Sequence, residues 1–393
     1  MADIVQQPVL KELDLRNWRL IERFQMCLPS ILDSARLHPS FRDPKRLHSA
    51  TNYLSLYLFG LFNPAIKTMR GLCQASQLER VEQEVCERRV SLGTFSETQH
   101  LLDPVLLEEV FSQLSSQVHA NVPRDPQLDQ WQWLAQDGSI FAALPRMHWA
   151  LYGAGDPGSP NRAARLHLSL NILDDKPQKA TVRPGKACER KIWKEDWKKG
   201  EAYVGDRNYG QDYRLFAELT AKGCAYILRL LEGAILNVLE ELPLTAADEK
   251  AGVFRQAWVT VGLQGQSGRL RVVWIRKEDG GQLILATNLA PEALSAELVS
   301  MLYRKRWKIE MFFRWVKCIL NCRHWLAESP EGATIQIYLA LIAALLLQLY
   351  LGEKPNKRMM ELLQLHQLGW ASDQELIDGL KREQDRMAAK KKA

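Results

Sequence analysis

The hydrophobic period of this chain changes partway along, and that change limits its fold more than any other feature. Up to about residue 125 the apolar residues recur at helical spacing. Leu54–Phe62 is an apolar run halted by Asn63-Pro64, and Glu79–Val90 is charged and helical. Thr94-Phe95-Ser96-Glu97 has capping-box spacing, and Asp103-Pro104 opens a further helix through Val118. From Trp131 the period falls to two. Trp131, Trp133 and Ala135 alternate with Gln132, Leu134 and Gln136, which predicts a strand ending at Asp137-Gly138. The run 121–129 between the two regimes holds two prolines and is the expected boundary.

The cleanest alternation follows, with Leu166, Leu168, Leu170 and Ile172 set against Arg165, His167, Ser169 and Asn171. Asp174-Asp175-Lys176-Pro177 reads as a turn returning through a third strand at Lys179–Arg183. Lys186–Lys199 has helical spacing and stops at Gly200; Ala202–Gly205 is a short apolar strand running into Asp206. Asp212 caps a helix that reaches Lys222-Gly223. The order from 131 is therefore strand, strand, strand, helix, strand, helix. Ala225–Leu231, Gln256–Leu263, Leu270–Arg276 and Gln282–Asn288 are strand-like. From Ala290 the chain is helical again, through the amphipathic Glu292–Leu320 and the apolar Ile335–Leu351, to a basic Lys390-Lys391-Lys392 end expected to be disordered. No internal repeat is visible.

The 393 residues are 46% apolar and 25% charged, which excludes disordered, collagenous and coiled-coil chains and leaves room for two to three domains. Fifty-two basic and 46 acidic residues leave only +6, so a nucleic-acid reading must rest on where the charge sits. Seven cysteines form no dense framework, pointing to a reduced, intracellular setting. The N-terminus lacks the apolar core of a signal peptide. Ile335–Leu351 is short for a span and is interrupted by Gln336 and Gln348, so a buried core helix and no membrane are expected.

Asp137 and Asp206 each stand where an apolar strand gives way to a glycine-containing segment. Glu310 is the only acid in residues 301–325, among Arg304, Lys305, Arg306, Lys308, Arg314, Lys317 and Arg323. Arg306 and Arg314, each four residues from it, could pair with it. The remaining cations repel each other unless a polyanion neutralises them, as a nucleic-acid backbone does. Three carboxylates drawn from two strand ends and a helix would also repel, and a divalent cation relieves that. Oxygen donors with few histidines favour Mg²⁺, with Mn²⁺ able to substitute. Two such ions can activate a water or a 3′ hydroxyl and stabilise a leaving oxygen.

The spacing is the specific signal. Tyr303, Arg306, Glu310 and Lys317 form Y-x2-R-x3-E-x6-K within YRKRWKIEMFFRWVK, and Trp307-Lys308-Ile309 extends it. On this motif the sequence resembles the insertion-sequence DDE transposases that carry the Y-R-E-K signature. QDGSIFAALP resembles the family's first-aspartate region and VGDRNYG its second. FNPAIKTMRGLCQASQL and VSLGTFSETQ extend the likeness across residues 50 to 350. The resemblance implies an α/β fold: a ribonuclease-H-like catalytic core (126–223 and 290–352), an all-α N-terminal DNA-binding domain (1–125) and a β-rich insertion (224–289) before the catalytic glutamate helix. A helical C-terminal tail (353–393) completes it. It implies catalytic, metal-holding Asp137, Asp206 and Glu310 with two Mg²⁺ per site. Tyr303, Arg306 and Lys317 would contact the terminal DNA strand, with Arg207 and Trp307 beside them.

The implied activity is metal-dependent cleavage and strand transfer, cut and paste, at the terminal inverted repeats of the chain's own element. Target DNA would be the second substrate, and a homodimer would assemble on paired ends in a bacterial cytoplasm, nucleoid-associated when bound to DNA. A non-catalytic or domesticated DNA-binding relative, or a nuclease without strand transfer, is the alternative.

Other residues read more plainly. Cys318 and Cys322, with His324 nearby, supply too few ligands for zinc and read as packing. His167 lies on the polar side of its strand, within reach of the site, and reads as a bystander. Trp258 and Trp274 read as core, with stacking of an extruded base the sharper option. The segment 176–199 carries nine Lys or Arg against three acids, a solvated face or a second DNA surface.

Overall fold

A computed structural model of the chain describes residues 19–29, 33–43, 46, 48–119, 124–150, 162–262, 265, 267–318, 320 and 324–392. The helices α1 (Arg19–Cys27), α2 (Ala50–Phe62), α3 (Met69–Ala75), α4 (Leu92–Leu101) and α5 (Val105–Gln117) lead. α2 stops at Asn63, ahead of Pro64, and starts before its apolar run because Ser49 Oγ accepts the Asn52 N–H. The cap of α4 is Ser91, not the expected Thr94: Ser91 Oγ accepts the Thr94 N–H at 3.1 Å and leaves Thr94 inside the first turn. Glu79–Val90 is helical only to Cys86, where a wide turn ends at Glu87 in the left-handed region (φ 54°).

One mixed sheet of nine strands follows, built from β1 (Gln132–Ala142), β2 (Ala163–Asn171), β3 (Lys176–Pro184), helix α6 (Glu189–Glu195), β4 (Glu201–Gly205), helix α7 (Arg214–Ala221) and β5 (Ala225–Arg229). β6 (Leu236–Leu242), helix α8 (Ala246–Lys250), β7 (Val253–Val261), β8 (Leu270–Arg276) and β9 (Gln282–Thr287) complete it. The spatial order is β3-β2-β1-β4-β5-β9-β8-β7-β6, with β1–β4 and β4–β5 parallel and every other pair antiparallel. The strands of the β-rich stretch thus extend the sheet that carries β1 and β4. Ala225–Arg229 lies beside β4 as part of that sheet's centre. β6 escaped the sequence reading because it is an exposed edge strand without alternating burial.

The expected end of β1 at Asp137-Gly138 is wrong; the strand continues to Ala142, paired with β2 through Ala142↔Ala163. Gly138 is there for close approach rather than for a turn. A Cβ at Gly138 would lie 2.5 Å from Glu189 Oε1.

The expected single helix over Glu292–Leu320 is two, α9 (Ala296–Lys305) and α10 (Lys308–Cys318), separated by a tighter turn in which Trp307 N–H donates to Arg304 O. Then come α11 (Pro330–Leu351), α12 (Lys357–Gln367) and α13 (Asp373–Lys392), so the Lys390–Lys392 run expected to be disordered closes a helix. Among the described residues α11 is the one helix long and apolar enough to cross a membrane, yet 83% of its most apolar stretch is buried in the protein. The two glutamines that interrupt it are satisfied inside. Gln336 Oε1 accepts from Tyr57 Oη and the Leu326 N–H, and Gln348 Nε2 donates to Asp174 O.

α11 packs against α1, α2, α4, α5 and β3, and one continuous apolar cluster runs from Ile21 to Leu380. The N-terminal helices are tied to the sheet as well: Lys176 Nζ donates to Ser115 O and Val118 O, and Ser115 Oγ to Pro177 O. Residues 120–123 of the proline-rich boundary lie outside the described residues.

Candidate active site

β1 and β4 run side by side in parallel, with Ala135 opposite Val204. Two residues further along each strand stand Asp137 and Asp206. Ala135 and Val204 are both buried in the same apolar cluster, so the period of two brings both aspartates to that one face. β4 ends at Gly205, and the chain turns away in an Asx turn in which Asp206 Oδ1 accepts the Asn208 N–H at 2.9 Å. Asp137 Oδ1 accepts the Gly138 N–H at 2.8 Å. Asp137 is two-thirds or more buried, and burial, with the nearby charge of Asp206, pushes its carboxyl up to about 7. Arg306 and the Gly138 N–H pull the other way.

α10 packs over β1 and β2 through Ile309, Phe312, Phe313 and Val316. Its first turn carries Glu310, whose Oε1 accepts from Arg306 Nη2 at 2.7 Å. This is the i, i+4 pair that the spacing allowed. The guanidinium is mostly buried, stands 5.7 Å from the Tyr303 ring centre, and is close enough to Asp137 to bias it. Burial raises the Tyr303 hydroxyl, with Arg306 and Arg229 opposing and Asp206 adding to the rise. Asp137, Asp206, Tyr303, Arg306 and Glu310, drawn from four segments, therefore lie within electrostatic reach of one another or share a bond.

Most of the cations of this region are used inside the protein, which the polyanion reading did not anticipate. Arg304 Nη2 donates to Ala251 O, Lys308 Nζ to Ile172 O, and Lys317 Nζ to Ile140 O at 2.6 Å. Lys308 also pairs with Asp175 at 3.6 Å. Arg314 is exposed, and Arg323 and Cys322 lie outside the described residues. Lys317 also stands 4.8 Å from the Phe141 ring centre, so it tethers α10 to β1. Trp307 is 57% exposed beside Arg306, and Arg207 is exposed with no described carboxylate paired to it.

The structure adds a carboxylate that the sequence reading counted only as one acid of a basic segment. Glu189 opens α6 on the other face of the sheet and packs over Gly138. It is ion-paired with Arg165, and its Oε2 accepts from Asn208 Nδ2 at 2.8 Å. Its charge also reaches Asp137. No sequence signal marks it, since the tertiary fold alone brings α6 onto β1. His167 stands opposite Gly138 and lines a small cavity together with Asp137 and Glu189. It is buried and its ring is held neutral, down to about 4, by burial with Arg165 and Arg183 adding. Asp174 takes an ion pair from Arg124 and Asp175 turns the β2–β3 hairpin at φ 53°, as turn residues should. Trp274 is buried under Arg255 and Trp258 is half-buried under Arg269, with cation-to-ring distances of 4.7 and 4.6 Å.

Asp137, Asp206 and Glu310 offer only carboxylate oxygen, and among the described residues neither aspartate has an ion pair, which suits a hard divalent ion. Among the described residues no three His, Cys, Asp or Glu side chains are gathered into a metal-holding group, and Glu310 is paired with Arg306.

The mixed sheet thus carries Asp137 within β1 and Asp206 just past the end of the adjacent parallel strand β4, with the glutamate-bearing helix α10 packed over β1 and β2. Residues 148–346, just over half of the chain, match the transposase DDE domain family, and the chain belongs to that family. The matched region holds Asp206 and Glu310 and begins after Asp137.

Curated relatives bear insertion-sequence and transposase names. y4zB of Sinorhizobium fredii is 24% identical over 212 residues, 53% of this chain and 58% of that one. The transposase for insertion sequence element IS421 of Escherichia coli is 39% identical over 70 residues, 18% of this chain and 19% of that one. The chain thus spans less than two thirds of the relatives it matches. A piggyBac transposase in a synaptic complex with hairpin DNA covers 95% of this chain and 83% of its own at 10% identity and a TM-score of 0.47, a likeness too slight to support any inference.

Proposed function

We propose that this transposase cleaves the ends of its own insertion sequence and joins them to target DNA, using Asp137, Asp206 and Glu310 to hold two Mg²⁺ ions. The observation that carries the reading is the placement of Asp137 on β1 and Asp206 just past the end of β4, each two residues beyond the paired Ala135 and Val204 of these parallel strands, with the Arg306–Glu310 pair near them. The strand order β3-β2-β1-β4-β5, with a helix between β3 and β4, supports a ribonuclease-H-like core. When bound, the ions would activate water or a 3′ hydroxyl and stabilise the leaving oxygen of a phosphodiester.

The chain's own residues do the rest. The Gly138 and Asn208 N–H groups fix one oxygen of each aspartate and leave the other free to ligate. Arg306 pairs with Glu310, and its guanidinium would offer a bidentate fork to a DNA phosphate if Glu310 were to hold the ions. Tyr303 supports the guanidinium from one side. Exposed Trp307 presents a ring on which a base can stack, and exposed Arg207 a charge for the backbone. Lys317 contributes by holding α10 to β1 as well as by its charge.

DNA ends bound by two copies of the chain give the paired complex that strand transfer needs. The test is to incubate the full chain with duplexes bearing the DNA that flanks its coding region, in Mg²⁺ or in chelator. Cleavage at the end followed by joining to a second duplex supports the reading. Cleavage without joined products supports a nuclease, and end binding without cleavage supports a non-catalytic relative.

A further inference from the structure

The β1–β4 ladder stops at Ala135↔Val204, so no backbone pairing between these strands sets the separation of Asp137 and Asp206 beyond it. Among the described residues, each aspartate side chain is hydrogen-bonded only within its own segment, Asp137 to Gly138 and Asp206 to Asn208. Glu189 touches both of those segments. Its carboxylate packs so closely on Gly138 that any Cβ there would displace it, and its Oε2 takes the Asn208 side-chain amide. Arg165 on β2 pairs with Glu189 and also donates Nε to Gly185 O, which anchors the carboxylate from the far side. Both Glu189 oxygens are therefore spoken for by protein donors, and its charge has a buried counter-ion. A group engaged in this way is poorly placed to ligate an ion and well placed to brace the residues that do.

We propose that Glu189 is a positioning residue: through Gly138 and Asn208 it sets the spacing of Asp137 and Asp206, and so the affinity of the pair for divalent metal. The proposal rests on the reading that these two aspartates hold the metal. Outer hydrogen-bond partners of metal ligands are worth about 10–100-fold in metal affinity, and that is the loss expected when the brace is cut.

The test is calorimetric titration of the full chain with Mn²⁺ alone, without DNA, comparing wild type, Asp206→Ala, Glu189→Ala, Glu189→Gln and Asn208→Ala. Glu189→Ala is expected to weaken Mn²⁺ binding at least about tenfold. Asn208→Ala, which leaves the Glu189–Arg165 pair intact and so keeps the fold, should give a loss of the same order. Glu189→Gln retains an oxygen to accept the Asn208 amide and should recover most of the affinity. If Glu189 were itself a ligand, Gln would lose as much as Ala, and the positioning role would be overturned. It would equally be overturned if Asn208→Ala bound Mn²⁺ as wild type does. Should wild type bind no Mn²⁺, or Asp206→Ala bind it as well as wild type, the metal site itself would be misassigned, a failure separate from that of the brace.

Discussion

Asp137 and Asp206 take hydrogen bonds from backbone N–H groups one and two residues downstream, whereas Glu310 takes its bond from the Arg306 side chain one helical turn upstream. The first pair is held to backbone on two segments that Glu189 bridges through Gly138 and Asn208. The third carboxylate is held by the Arg306 guanidinium, a side-chain partner rather than backbone. The candidate site thus has an aspartate half held by backbone N–H groups and a glutamate half paired with the Arg306 side chain. Metal and DNA phosphate together would exchange partners with this pair: Glu310 toward the ions, Arg306 toward the strand.

The largest expected effect comes from removing either half outright. Alanine at Asp137, Asp206 or Glu310 should abolish cleavage while end binding, followed by gel shift, persists. Wild-type cutting by Glu310→Ala alongside an inactive Asp206→Ala would break the comparison, because the glutamate half would then be idle.

Next in size is Arg306→Ala, which frees Glu310 but misplaces the strand. Single-turnover cleavage should fall by about 10²-fold. Arg306→Lys should recover only part of this, since a point charge cannot bind phosphate through two parallel bonds. Full recovery by Lys would reduce Arg306 to a simple counter-charge.

Trp307 and Lys317 sharpen the contrast on the helix side. Trp307→Ala, at an exposed ring, should weaken binding to end DNA by about 1–3 kcal/mol and leave the melting temperature alone. Lys317→Ala should do the reverse. It removes the bond to Ile140 O, so stability should fall by about 1 kcal/mol. The salt slope of DNA binding should change by less than the ~0.9 expected for one lost phosphate contact on duplex DNA. A full drop of that size with unchanged stability would return Lys317 to the DNA surface.

The smallest effect belongs to the aspartate half and is read through pH. With its carboxyl up at about 7, folded Asp137 keeps a proton that the unfolded chain releases near ~3.9. Metal-free stability should therefore fall as pH rises from 4 to 7 and be lowest above 7. Asp137→Asn escapes this and should melt about 2–4 °C above wild type at pH 8 in chelator, the gap closing by pH 4. A constant gap across pH would mean that Asp137 carries no such strain.

The succession of strands and helices from 131 to 223, the end of β4 just before Asp206 and the placement of Glu310 on a helix were legible because local alternation and helical spacing determine them. The run of β1 past Asp137 was not. Asp-Gly reads locally as a turn, and the reason for Gly138 is the Glu189 carboxylate above it, 51 positions along the chain. The break between α9 and α10 was hidden because no proline or glycine marks it. The cations of 301–325 were read as like charges that a polyanion would neutralise, yet Arg304, Lys308 and Lys317 donate to carbonyls of other segments. Composition records a charge and leaves its partner unstated. Glu189 was invisible for the same reason, since its neighbours on β1 and β2 and after β4 are remote in sequence or ambiguous in it.

The most direct measurement is an anomalous diffraction map of the full chain crystallised with Mn²⁺ and a duplex end. The account predicts Mn²⁺ peaks bound by Asp137 and Asp206, with Glu310 released from Arg306 to complete the coordination and the Arg306 guanidinium on a DNA phosphate. Mn²⁺ bound elsewhere, or Glu310 still paired with Arg306 beside a filled site, would contradict it.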